Sequence, residues 1–320
     1  MSNRSKGRAA IGHSCGSGLL NFAPSRSKIT VFGGFAVRKL LLAALLVFAL
    51  ALAGGEAFAR YYLQLGDPPL TIADPDIEYM FKPDQDVSRF GNRIFINHWG
   101  MRSPQIERTP PPSQHRTLVL GDSVVNGGNL SDQSSLATTL LSTGERLFLN
   151  VSAGSWGPEN MLAYVKKFGL FGADRLVLVL STHDASDVPT FAPLDPDTHP
   201  TETPSLALVE AVTRYLPRYF PDSGSPAVAT EEQAPAPSAL AAVSALLAAL
   251  PNSCLVLHPT LSEFRSGHTG AGYAALREAA AGAVIVDEMP LVAEGDYRDD
   301  IHHSDAGQRT LAKAISGCFD

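Results

Sequence analysis

Five short runs of almost unbroken apolar residues recur along the later part of the chain: RTLVL at 116–120, LFLNVS at 147–152, RLVLVL at 175–180, CLVLH at 254–258 and AVIVD at 283–287. None alternates polar with apolar as a half-exposed strand does, so each reads as a strand covered on both faces. Among them lie segments with apolar residues at helical spacing: SDQSSLATTLLS, PENMLAYVKKFG, SALAAVSALLAAL, AGYAALREAA and, last, SDAGQRTLAKAIS. Strand and helix in alternation predict a parallel sheet with helices on both sides. The expected fold is a three-layer α/β/α sandwich with a five-stranded parallel sheet, occupying residues 113–320.

One stretch breaks the alternation. Between Pro189 and Pro237 fall ten of the 23 prolines, and only PSLALVEAVTRYL looks helical. So long an excursion inside a compact domain predicts an exposed insertion at about 186–237, a lid or flap beside a functional site. Upstream, residues 60–112 form a lead-in: RIFINHW has strand composition and suggests a small hairpin, and Pro110, Pro111 and Pro112 make a stiff link to the sheet domain.

The longest apolar stretch runs from Leu40 to Ala53, followed by Gly54, Gly55, Glu56 and the triplet Ala57-Phe58-Ala59. Residues 1–39 ahead of it form a basic tail without periodicity. A basic flank, an apolar stretch and a small-x-small site are the parts of a secretory signal. Leu40 to Ala59 also provides the roughly 20 residues that a membrane-spanning helix needs. The residues fit a cleaved signal and a retained anchor alike. Either way the basic flank stays inside and the body is exported: anchored in a bacterial inner membrane with the catalytic domain in the periplasm, or secreted.

Charge sharpens this division. The net charge is -7, but the first 55 residues carry seven Lys or Arg and no acid, leaving 18 of the 25 bases against all 32 acids. So acidic a body argues against nucleic acid as a partner, because affinity for nucleic acid rests on neutralising phosphates. Of the three cysteines, Cys15 precedes the apolar stretch. Cys254 opens a predicted strand and Cys318 closes the last predicted helix, a placement open to a disulfide or to two buried thiols.

Ligands of open parallel sheets bind at the carboxyl ends of the strands. There the chain places Gly121-Asp122-Ser123, Ala153-Gly154-Ser155-Trp156-Gly157, Ser181-Thr182-His183-Asp184, His258-Pro259-Thr260 and the loop containing RDDIHHSDAG. A serine nucleophile needs a base, a carboxylate to orient the base, and N–H donors for the oxyanion. Ser123 offers the hydroxyl and its own N–H, His302 the base, Asp299 the carboxylate, and Gly154 an unobstructed N–H. Asp122, Asp184, His258 and His303 are candidates for supporting roles.

At these residues the chain resembles the SGNH (GDSL-type) esterases and acyltransferases. GDSVVNG, NVSAGSWG and DDIHHSDAG are similar to the first, second and fifth blocks of that family. The resemblance covers residues 113–320 without the insertion. It implies Ser123 as nucleophile, Gly154 in the oxyanion hole, and Asp299 and His302 as orienter and base of an acyl-enzyme mechanism on ester bonds. It favours small acyl groups on carbohydrates or lipids as substrate, with no cofactor. The continuation His-x-Ser-x-x-Gly, matched by His302, Ser304 and Gly307, selects Asp299 with His302 over Asp300 with His303.

The third block departs from the pattern. Where Gly-x-Asn-Asp is expected, the chain has Ser181-Thr182-His183-Asp184, which places His183 at the oxyanion Asn position. A neutral imidazole can donate one hydrogen bond there; losing an oxyanion donor costs about 3 kcal/mol. The alternative is therefore a non-catalytic binding or assembly protein with the same fold. The lead-in FKPDQDVSRFGNRIFINHWGMRSP resembles the segment that precedes the catalytic domain in membrane-anchored bacterial members.

A metal centre, as in metal-dependent phosphoesterases, is the chemical rival, since Asp122, His183, Asp184, Asp299, His302 and His303 are all cation ligands. The sequence has no His-x-x-x-His or Cys-x-x-Cys spacing. Gly-x-Ser-x-Gly, the mark of the other common serine-esterase fold, occurs in GHSCG of the basic tail and nowhere in residues 113–320. Serine chemistry without a metal is the expectation.

Overall fold

The computed structural model describes residues 32–216 and 233–319. The basic tail up to residue 31, with Cys15, and the part of the Pro-rich insertion at 217–232 lie outside the described residues. The chain divides into two units, residues 1–51 and a compact body of residues 52–320.

Helix α1, Phe32–Ala57, carries the long apolar stretch and continues as a π-helical turn, Phe58–Tyr62. Its length and composition suffice to cross a membrane.

The body begins with two antiparallel hairpins where the sequence suggests one: β1 (Thr71–Asp74) with β2 (Glu78–Phe81), and β3 (Gln85–Arg89) with β4 (Asn92–Ile96). The five apolar runs then become β5 (His115–Gly121), β6 (Arg146–Ser152), β7 (Arg175–Ser181), β8 (Ser253–His258) and β9 (Val284–Asp287). They form one parallel sheet in the order β6-β5-β7-β8-β9. This is a three-layer α/β/α sandwich whose strand order reverses at β5, so the switch point lies between β5 and β7.

The helices are α2 (Ser123–Asn126), α3 (Ala137–Leu141), α4 (Pro158–Phe168), α5 (Ala207–Glu210), α6 (Pro237–Leu247), α7 (Leu261–Ser266), α8 (Ala271–Ala279) and α9 (Asp305–Ser316). Because successive strand residues point to opposite faces, the alternation of Leu and Val sorts itself. Leu118, Leu120, Leu176, Leu178, Leu180, Leu255 and Leu257 face the layer of α4, α6 and α8. Val119, Val177, Val179 and Val256 face the layer of α2, α3 and α9. On the valine side Cys254 is joined to Cys318 by a disulfide, closing a loop of 64 residues.

One helical expectation changes and one helix is unforeseen. SDQSSLATTLLS yields only α3, because Asp132 accepts hydrogen bonds from Ser134 N and Oγ (2.9 and 2.6 Å) and turns the first residues into a 3-10 turn. Such local side-chain bonds compete with an α-helix. Helix α7, which the sequence reading did not foresee, opens on a capping box: Thr260 Oγ1 accepts from Glu263 N, and Thr260 N donates to Glu263 Oε2.

The lead-in is fastened to the sheet domain. Trp156 Nε1 donates to Tyr79 O (2.8 Å), Asn160 Nδ2 to Ile77 O (2.6 Å), and Tyr164 Oη to Trp99 O (2.7 Å). The described part of the insertion lies over it, with Thr71 N donating to Pro200 O (2.8 Å) and Thr190 N and Phe191 N both donating to Glu78 Oε1.

Candidate active site at the carboxyl ends of the strands

Strand β5 ends at Gly121, and α2 begins two residues later with Ser123 at its first position. Asp122 between them caps α2, its Oδ1 accepting from Val124 N at 2.8 Å. A Cβ on Gly121 would strike Val125 Cγ2 and lie 3.2 Å from Val179 O, so only glycine lets strand and helix meet this closely.

The loop before α9 comes to the same point. His302 Nε2 is 2.9 Å from Ser123 Oγ, and His302 Nδ1 lies 2.9 and 2.8 Å from the two carboxylate oxygens of Asp299. A carboxylate only accepts, so Nδ1 carries the proton, and Nε2 is left to accept from the Ser123 hydroxyl. Asp299 Oδ1 also accepts from Ile301 N (3.0 Å) and His302 N (2.8 Å), which ties Asp299 and His302 into one turn. Burial works against the charge of Asp299, but those two amides and the imidazole outweigh it and hold the carboxyl below the usual range.

Ser123 and Gly154 line a cavity of about 170 Å³ with Tyr79, Asn126, Ser155, His199 and Arg214 among its other walls. The Gly154 carbonyl accepts from Tyr79 Oη, and no atom lies within 4 Å of where its Cβ would be. The α-carbon of Gly154 therefore faces open space.

His183 stands elsewhere. Its Nε2 faces Asp122 Oδ2 at 3.4 Å and Asp184 Oδ1 at 3.8 Å, in the crevice between β5 and β7, and it is not among the residues lining the Ser123 cavity. The Asp184 carboxylate, working against burial and together with Asp122, lifts the imidazole to about 10. The ring is therefore an imidazolium at neutral pH. Burial in turn pushes Asp184 upward, while its Oδ2 accepts from Ser181 N at 2.6 Å.

The six residues able to ligate a cation thus separate into three places. Asp122, His183 and Asp184 meet at the crevice; Asp299 and His302 join Ser123; His303 turns inward toward Glu288 and His258. In that last group His258 Nδ1 bonds Glu288 Oε2 (2.7 Å) and Nε2 bonds the carbonyl of Ile301 (2.8 Å). His258 and His303 are almost wholly buried, and the Ile301 carbonyl belongs to the peptide that precedes His302.

Three supporting residues escape a reading of the sequence. Arg102, buried in the lead-in, donates to the carbonyls of Asn126, Gly128 and Ser131, each at 2.6 Å, and so braces the chain just after Ser123. Gln308 of α9 donates to Val124 O (3.1 Å) and accepts from Ala137 N (2.9 Å), joining the helix after His302 to the helix of Ser123. Glu288 holds His258. The Arg in GMRSP and the Gln after SDAG are single polar residues with no local signature, and only their burial marks them.

No family model and no curated protein matches the sequence. Solved structures do resemble it. They include LAE5, an alpha/beta hydrolase enzyme from the metagenome of Lake Arreo, Spain, at 15% identity over 64% of this chain and 96% of that one, with a TM-score of 0.37. A member of the lipolytic protein G-D-S-L family from Veillonella parvula matches at 12% identity over 64% and 98%, TM-score 0.37. A catalytic mutant of the acetylxylan esterase Axe2 from Geobacillus stearothermophilus matches at 13% over 64% and 94%, TM-score 0.38. At such low identity and TM-score these likenesses carry no argument, and what the site does rests on its own atoms.

Proposed function

We propose that the protein is a serine esterase or acyltransferase acting on small acyl esters. One observation carries the reading: the Ser123 hydroxyl is 2.9 Å from an imidazole nitrogen whose opposite nitrogen is held by Asp299, beside a small cavity at the ligand end of the sheet. His302 takes the Ser123 proton as Oγ attacks the acyl carbonyl, and Asp299 stabilises the imidazolium that forms. The N–H groups of Ser123 and Gly154 receive the oxyanion. Collapse of the tetrahedral intermediate expels the alcohol, which leaves with the proton from His302. Water or an acceptor hydroxyl then gives its proton to His302, attacks the acyl-enzyme and restores Ser123.

A cavity of about 170 Å³ suits a short acyl chain, well below the 300–1,000 Å³ of pockets for drug-sized ligands. An O-acylated carbohydrate or lipid of the cell envelope is the substrate class proposed. We infer further that α1 is a retained anchor and that the body is exported, a reading that the basic flank and the apolar length of α1 support.

The position of His183 favours a second reading, a binding or assembly protein of the same fold. With its imidazole turned to two carboxylates it offers the cavity no third oxyanion donor. A fluorophosphonate probe separates the two. Labelling of the wild type that is lost in Ser123→Ala and reduced in His302→Ala supports the enzyme, and folded wild type that resists the probe at mildly alkaline pH sinks it. Activity abolished by a chelator while the probe fails to react would favour a metal at Asp122, His183 and Asp184.

A further inference from the structure

The helical segment formed by α5 and the π-helical turn that continues it, Ala211–Tyr215, divides sharply by side. Its inner side carries every charge it has. Glu210 accepts from Gly66 N (2.6 Å) and is paired with the fully buried Arg89 of β3, with Arg214 3.6 Å away. Ala207 packs with Ala59 and Leu65. The outward side holds Leu206, Val209, Val212 and Leu216, each 45–49% exposed. Among these lies one polar residue, Thr213, whose hydroxyl donates back to Val209 O at 2.9 Å. A helix with an apolar outward stripe and its charges turned inward inverts the usual arrangement of a surface helix.

Its position relative to α1 gives the reason. Glu56 accepts from Ala207 N (3.1 Å) and Leu208 N (2.8 Å) and from Arg60 Nε (2.8 Å), so the segment starts at the level of Glu56. Leu208 lies against Gly55, its Cδ1 3.4 Å from where a Cβ would be. Counted from Lys39, a hydrocarbon core of about 30 Å at about 1.5 Å per residue ends near Ala59. Gly55 then lies about 6 Å short of the outer boundary, and Phe58, Tyr61 and Tyr62, all more than half exposed, fall where aromatic side chains anchor helices at the headgroups.

We propose that residues 206–216 lie in the outer headgroup–acyl boundary of the bilayer, with Leu206, Val209, Val212 and Leu216 among the lipid chains. The partner of this surface is the membrane itself. The segment and α1 together give the body two attachments to the bilayer. Arg214, on the inner side of the segment, also lines the cavity with Ser123, so the cavity is held near the membrane surface.

The proposal rests on α1 being a retained anchor, and the test separates the two claims. The full-length chain, in a Cys15→Ser background with Cys254 and Cys318 in their disulfide, is labelled with an environment-sensitive nitrobenzoxadiazole dye at single sites and placed in phospholipid nanodiscs. Val47→Cys reports on the anchor, Val212→Cys and Leu216→Cys on the segment, and Glu278→Cys on exposed α8. Blue-shifted emission at 47, 212 and 216, with quenching at 212 and 216 by lipids labelled near the headgroup and water-like emission at 278, is the expected result. Water-like emission at 212 and 216 with a blue shift at 47 overturns the docking and leaves the anchor standing. Loss of the residue-47 label through cleavage of the chain overturns both.

Discussion

Exchanging the Asp299 carboxylate for an amide should damage the site more than removing it. Asp299 Oδ1 faces the amides of Ile301 and His302 at 3.0 and 2.8 Å, and Oδ2 faces His302 Nδ1 at 2.8 Å. In Asp299→Asn the carbonyl oxygen best occupies the first place, where it serves two amides. The NH2 group then lies against Nδ1 and forces it to accept, which moves the imidazole proton to Nε2, facing Ser123. That is the wrong tautomer for a base, and the same exchange in a serine triad lowers kcat about 10⁴-fold, or about 5.5 kcal/mol. Asp299→Ala leaves water to accept from Nδ1, because the Asp299 side chain is 51% exposed, and the tautomer survives. Its cost is one charge-assisted bond and two backbone bonds, about 3.5 kcal/mol or a few hundredfold. The rate of fluorophosphonate labelling, compared at equal folded fraction, measures both. Asn reacting as fast as Ala, or faster, would refute the tautomer argument and the part given to Asp299.

Arg102→Met should lower stability by about 3 kcal/mol or more, since it strips hydrogen bonds from the carbonyls of Asn126, Gly128 and Ser131; urea melts and labelling of the surviving folded fraction would show both the loss and a slower Ser123. His183 has a folded value near 10 against an ordinary 6.5, so the stability it confers is full below 6.5 and disappears as pH rises through 10. The stability gap between wild type and His183→Gln should therefore narrow as pH rises from 6.5 to 10 in urea melts, and a gap that does not change over that range contradicts the ion pairing with Asp184 and Asp122. Replacing Cys254 and Cys318 by Ala should cost about 4 kcal/mol, the loop-closure value for 64 residues, read as a lower denaturation midpoint that reductant does not change further.

The strands were legible because burial on both faces leaves an apolar run that few other structures produce, and all five runs became the sheet. The hairpin of β1 and β2 was not, because TIAD carries too few apolar residues to announce a strand. Ser123, Gly154, Asp299 and His302 could be named from residue type and their place at strand ends, and the structure brings Ser123, His302 and Asp299 into contact. His183 was named on the same grounds and lies against two carboxylates instead. A position in a motif says which strand end a side chain leaves from; which way it turns depends on charges contributed by the turn after β5 and its own 3-10 turn, 62 residues apart at Asp122 and Asp184.

The sequence by itself determined the layers of this protein, the strand ends where chemistry collects, and the apolar helix ahead of the body, since each follows from local spacing and composition. Only the tertiary structure decided that Arg102 and Gln308 brace the turn of Ser123, that Glu288 and His258 hold the peptide before His302, and that Cys254 meets Cys318. It also decided that the helical segment in the insertion keeps its charges inside and its apolar side out. All of these depend on distances between residues far apart in the chain, which are set when the hydrophobic layers close and cannot be read from any one stretch.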